Sequence, residues 1–168
     1  MRVGLLLILF LISFSLSSCF SDRRNPAAIA IYNEQITGDG SQPFAAIGDT
    51  QRTLWGEKFF LRREVNDNER VQLLQSLLSE HPAFLVHLGD LTCDGSMDAE
   101  WDYFDALMAG FRSQNLPILP VFGNHDYWGK RSESQSRFEA RFPELARNHW
   151  HVRTSGGLGL VCLDHPYT

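Results

Sequence analysis

The chain has 168 residues, with 15 Lys and Arg against 20 Asp and Glu, a formal net charge of −5 and 43% hydrophobic residues. A chain of that size and apolar content holds one domain with a real core, and its acidic balance carries no basic footprint for DNA or RNA. The three cysteines, Cys19, Cys93 and Cys162, are too few for a disulfide framework and lack zinc-knuckle spacing. Cys93 and Cys162 read as buried free thiols, with a single bridge between them in an oxidising compartment as the other reading.

The amino terminus, MRVGLLLILFLISFSLSSC, has basic Arg2, an uncharged stretch from Val3 to Leu16 and small residues before Cys19. That is the pattern of an export signal whose apolar core falls short of the roughly 20 residues a spanning helix needs. Its ending, LSSC, resembles the bacterial lipoprotein signal. That resemblance implies cleavage before Cys19, a lipid on Cys19 and an exported protein held on the membrane. Residues 1–18 are therefore expected to be a signal peptide. From Phe20 to Pro43 the composition is rich in Asn, Gln, Asp, Gly, Ser and Pro, with one apolar island, AAIAIY, so residues 19–43 read mainly as a tether.

FAAIGD (44–49) is a short apolar run closed by Gly-Asp, read as a buried strand and a turn. DNERVQLLQSLLSEHP (67–82) spaces Val71, Leu74, Leu77 and Leu78 as one helix face, with Asp67 and Asn68 as caps and Pro82 beyond the end. AFLVHLGD (83–90) repeats the strand with the same ending. SMDAEWDYFDALMAGF (96–111) predicts a second helix carrying Met97, Trp101, Phe104, Leu107 and Met108. LPILPVFGNHD predicts a third strand and SESQSRFEARFPEL a third helix, and WHVRT and LGLVCLD, parted by SGG, predict a hairpin or two late strands. Strands alternating with helices imply an α/β fold with a largely parallel sheet.

Three successive strands thus end in IGDTQ, LGDLT and FGNHD, each with a polar side chain directly after glycine. In a parallel sheet those ends share one edge, where open α/β sheets keep their chemistry. Asp49, Asp90 and Asn124 can converge there as hard oxygen donors for divalent cations, with His125 beside them as an acid or charge stabiliser.

GDTQ, GDLT and GNHD, in this order and spacing, resemble the first three motifs of the calcineurin-like metallophosphoesterases, over roughly residues 44–164. The resemblance implies a two-layered αββα sandwich and two divalent ions of the Mn, Fe or Zn class. Asp49 would bind the first ion, with Gln51 as a weak carbonyl ligand or a spectator, Asp90 would bridge both and Asn124 would bind the second. His125 would protonate the leaving group or stabilise the transition state, with Asp126 orienting it. Two departures stand out. Gln51 takes the place of the histidine common in the family's first motif, and neither of the family's carboxyl-terminal histidine motifs occurs in the sequence.

Residues 44–168 are therefore expected to form a partial sandwich, a βαβαβ unit whose carboxyl-terminal half is missing and to which a complementing fragment would bind. The expected function is hydrolysis of phosphomonoesters or phosphodiesters, incomplete in this chain. A non-catalytic remnant, or a ligand-binding lipoprotein with half a metal site, is the alternative. His149 and His151 fall on one strand face and are read as solvated, His81 and His87 as helix-end and strand residues, and His165 as the start of a loop. Thr92 and Cys93 are read as continuing the turn after Asp90. Tyr127 and Trp128 can line a substrate groove or pack in the core.

Overall fold

The computed structural model describes residues 28–37, 39–146 and 150–163. Its centre is a three-stranded parallel sheet of β1 (Ala45–Ile47), β2 (Leu85–His87) and β3 (Ile118–Pro120), in that spatial order. Ala46 pairs with Val86 and Val86 with Leu119, so β2 is central. Pro120 ends β3, where its missing N–H costs the ladder least. The α/β class and the parallel sheet are as expected.

Around the sheet lie α1 (Trp55–Phe60), α2 (Asp67–Ser79), α3 (Asp98–Leu107), α4 (Ala109–Ser113) and α5 (Arg131–Arg141). Leu74 is the buried residue on the expected apolar stripe of α2, with Leu77 and Leu78 partly buried, whereas Val71 is exposed. The helix begins after Asn66, whose side chain accepts from Arg70 instead of capping the backbone. The second expected helix breaks at Met108 into α3 and α4, although Trp101, Phe104 and Met108 all enter the core and Met97 stays outside. The third stops at Arg141 because Pro143 cannot continue it and forces Phe142 out of helical geometry, at φ −123° and ψ 70°.

Helix α1 has no counterpart in the sequence reading. Trp55 stacks on Phe59 and Phe59 meets Phe60 edge-on, yet all three rings are exposed, so α1 presents aromatic surface without burying it.

The late strands form the expected hairpin, β4 (His151–Ser155) antiparallel to β5 (Leu158–Cys162). Gly156 and Gly157 both have positive φ, the conformation a two-residue turn between twisted strands requires. His151, Ser155 and Cys162 point inward and are buried, while Val152 and Val161, paired across the strands, are exposed.

The described part of the expected tether is corrected. Residues 28–37 form a strap that runs along β3, where Ile118 N–H donates to the Asn33 carbonyl. Tyr32 is buried, stacks on Phe142 and donates its hydroxyl to Asp105. Glu34 is buried as well, accepting from the Glu144 N–H at 2.9 Å. An apolar island spaced by polar residues looks like linker composition, yet it covers an otherwise open sheet edge. Cys19 and the signal-like stretch lie outside the described residues. Among the described residues no helix is long and apolar enough to cross a membrane.

Candidate metal and phosphate site

Parallel pairing in the order β1, β2, β3 carries Gly48-Asp49, Gly89-Asp90 and Gly123-Asn124 to one edge, with Asp90 on the middle strand. The three turns are tied to one another. Asp49 N–H donates to the Gly89 carbonyl and Gln51 N–H to the Asp90 carbonyl, each at 3.1 Å. His125 N–H donates to Asp90 Oδ1 at 3.0 Å. Asp49 and Asp90 share a left-handed backbone, φ 54° in both, which an L residue holds only when its surroundings impose it. Gly123 is required beside Asp90, because a Cβ there would collide with the aspartate's Oδ1 and backbone nitrogen.

Asp49 and Asn124 are exposed, Asp90 is half-buried, and Gln51 reaches Asp90 Oδ2 only at 3.5 Å through Nε2. The carbonyl oxygen of Gln51, Oε1, is buried with no hydrogen-bond partner. An orphaned buried acceptor costs about 1–3 kcal/mol, a cost that a cation bound to it would remove. The carboxylates of Asp49 and Asp90 and the amide oxygens of Gln51 and Asn124 are of the hard oxygen class that suits a divalent ion. Among the described residues no group of three or more His, Cys, Asp or Glu side chains is arranged to hold a metal.

His125 is half-buried, and its Nδ1 lies 3.2 Å from the Cys93 carbonyl. A carbonyl only accepts, so Nδ1 carries the hydrogen and Nε2 is left to exchange protons. Asp126 does not take the orienting role expected of it. Its fully buried carboxylate accepts from the Gly123 N–H at 2.9 Å, the Leu91 N–H at 3.2 Å, the Thr92 N–H at 2.9 Å and the Thr92 hydroxyl at 3.0 Å. Burial pushes its pKa up to about 6 against those four bonds, which pull it down. Asp126 is thus the rivet joining the turn after β2 to the turn after β3, and the Cys93 carbonyl sets the histidine.

Two contributors were beyond sequence reasoning. Thr92 donates twice to Asp126, and a backbone carbonyl such as that of Cys93 leaves no trace in residue type. His87 is a third surprise. Buried on β2 and held neutral, with a pKa pushed down to about 3 by desolvation, it places Nε2 2.8 Å from the Thr50 hydroxyl and so fixes the turn between Asp49 and Gln51. The other histidines stand apart. His81 takes a left-handed φ of 51° just past α2. His151 is buried, not solvated as expected, because its strand face turns toward the domain, and its pKa is lowered to about 4 by burial. His149 and His165 lie outside the described residues. Cys93 and Cys162 are both free and buried, and burial pushes the Cys93 thiol up to about 12.

The family model described as calcineurin-like phosphoesterase matches residues 42–166. No curated protein matches the chain.

Proposed function

The chain belongs to the calcineurin-like phosphoesterase family, and from that premise we propose that it is a metal-dependent hydrolase of phosphomonoesters or phosphodiesters. The observation that carries the reading is the orphaned buried Oε1 of Gln51, in a side chain whose Nε2 faces the central carboxylate of Asp90 at the edge where three strand ends meet. Asp49 and Gln51 would hold one ion, Asp90 both and Asn124 the second, with Mn, Fe or Zn as the metal class. When bound, such a pair neutralises phosphate charge and lowers the pKa of water to supply a nucleophile. His125 passes to the leaving oxygen a proton first taken up at Nε2, the nitrogen left free because Nδ1–H donates to the Cys93 carbonyl. Asp126 keeps the turns bearing Asp90 and Asn124 in register.

Two carboxylates and two amides make a weak cage. The reading therefore includes histidines from a carboxyl-terminal segment or complementing fragment, without which turnover is poor. Residues 1–18 act as an export signal and Cys19 carries the lipid that holds the domain, residues 44–168, on the outer side of the membrane. The second reading, a ligand-binding lipoprotein with half a metal site, is favoured by the lack of any His, Cys, Asp or Glu triad among the described residues.

Calorimetric titration of the purified chain with Mn(II) tests the site. Asp90→Ala is expected to lose more affinity than Gln51→Ala, since it removes a charged ligand shared by two ions. Indistinguishable titrations for wild type and Asp90→Ala would sink the assignment. Metal-dependent hydrolysis of a chromogenic phosphodiester that vanishes in His125→Ala, while Mn(II) affinity is retained, separates the enzyme from the binding protein. Labelling with radioactive fatty acid in bacteria tests the anchor, and Cys19→Ser is expected to abolish the label.

A further inference from the structure

The stretch just past the site, Tyr127-Trp128-Gly129, leaves the strand edge by an unusual route. A 3-10 turn over His125–Tyr127 folds Tyr127 back onto Phe122, with ring centroids 4.5 Å apart and planes 17° from parallel. Trp128 then turns extended, at φ −66° and ψ 154°, which lays its indole against the His125 imidazole at a centroid distance of 4.0 Å. The backbone on either side is pinned. Trp128 N–H donates to the His125 carbonyl at 3.0 Å, Ser134 Oγ donates to the Trp128 carbonyl at 2.9 Å, and Gly129 packs where a Cβ would collide with Ser96.

Despite those anchors Trp128 remains 45% exposed, so a large apolar ring is held at the surface. Beside it opens a cleft of about 430 Å³ lined by Asn124, Tyr127, Trp128 and Arg131. That volume accommodates one ring system and its substituent. The Arg131 guanidinium lies over the Tyr127 ring, 4.9 Å from its centroid, so the charged wall of the cleft is held in place too.

We propose that this cleft receives the leaving group of the phosphoester and selects planar aromatic ones by stacking on Trp128. The inference rests on the phosphoesterase reading above. A leaving oxygen within reach of His125 places its substituent within reach of the ring that touches His125, and that ring is Trp128. A flat aromatic group stacks on the indole and displaces weakly held water, whereas a short alkyl or polyol group leaves most of the indole wet. Asn124 lines the same cleft, so the cleft reaches one residue of the candidate metal site.

Two non-hydrolysable probes, phenylphosphonate and methylphosphonate, separate the subsite from the phosphate site when titrated calorimetrically into the full chain with Mn(II). Phenylphosphonate is expected to bind roughly 3- to 10-fold tighter, the gain one aromatic pair supplies. In Trp128→Ala that ratio is expected to fall toward one, and Trp128→Phe to keep part of it. Both probes are expected to lose binding in Asp90→Asn, with circular dichroism confirming that each variant is folded. A ratio near one in wild type, or one unchanged in Trp128→Ala, overturns the subsite while Asp90-dependent binding preserves the phosphoesterase reading. Binding of both probes that ignores Asp90, or no binding of either, overturns that reading and the subsite with it.

Discussion

The two faces of the small sheet are built unequally. On one, Leu85 and Ile118 point into a core with Trp101, Phe104, Met108, Phe111, Phe138 and Phe142, all of them essentially fully buried beneath the helices. On the other, among the described residues, Phe84, Val86 and Leu119 pack against Ile36 of the strap, Leu160 of the hairpin and Ala83 just before β2, with Phe44 stacked on Phe84. The hairpin in turn exposes Val152, Val161 and Leu158. The larger buried core therefore lies on the helical face, while the second face buries a smaller cluster beneath a hairpin whose outer apolar residues are exposed among the described residues. The strand-end site sits at the boundary between them, supported from the helical side by His87 against Phe104 and from its own edge by Asp126.

The contrast is easiest to break at its strongest point. Trp101 meets Phe104 and Phe138 edge-on, lies under the Arg141 guanidinium and donates its indole N–H to the Gly95 carbonyl. Trp101→Ala is expected to cost about 3–5 kcal/mol in urea unfolding, against about 1 kcal/mol for Leu160→Ala on the thin face. Equal costs would abolish the asymmetry.

Next in size is Asp126→Ala, which strands the N–H groups of Gly123, Leu91 and Thr92 and is expected to cost about 3 kcal/mol. Asp126→Asn retains an acceptor and is expected to cost less. If both variants melt with the wild type, Asp126 is no rivet.

The strap reports on both faces, since Tyr32 joins the helical core and Ile36 the thin one. Between them, burial pushes the Glu34 pKa up to about 7 from 4.5, only partly offset by the Glu144 N–H, with the Glu144 carboxylate adding to the rise and Arg153 opposing it. A raised carboxyl binds its proton more tightly folded than unfolded. Its contribution is thus complete below about pH 4.5 and is lost as pH rises through about 7. Stability is expected to decline across that window, and Glu34→Gln to flatten the decline; parallel pH profiles for the two proteins would remove Glu34 as its source. The smallest expected effect is that of Tyr32→Phe, about 1 kcal/mol for the hydrogen bond to Asp105, read from the same unfolding curves.

Much of this was legible beforehand because it depends on local pattern. Helix α2 follows from apolar spacing and the hairpin turn from Gly156 and Gly157, whereas the third helix was read on through Pro143 and stops at Arg141. The strand-end turns were legible because each joins an apolar run to Gly and a polar residue, and parallel order alone then brings them to one edge. The strap was misread because Tyr32 and Glu34 are buried by contacts with Phe142, Asp105 and Glu144, which lie far along the chain. Helix α1 was missed because its rings meet one another instead of a core, leaving no buried face to signal it.

By itself, then, the sequence determined the α/β class, the order of the strands and longer helices and the placing of Asp49, Asp90, Asn124 and His125 at strand ends, since these depend on the two short periodicities of the backbone and on where glycine breaks them. Tertiary structure alone decided that Asp126 rivets two turns instead of steering His125, that the Cys93 carbonyl takes that task, that Gln51 keeps an unpaired oxygen and that Trp128 stands open beside the imidazole. A buried polar group takes whichever partner folding brings within about 3 Å, and in this site most of those partners are backbone atoms, which every residue type carries alike.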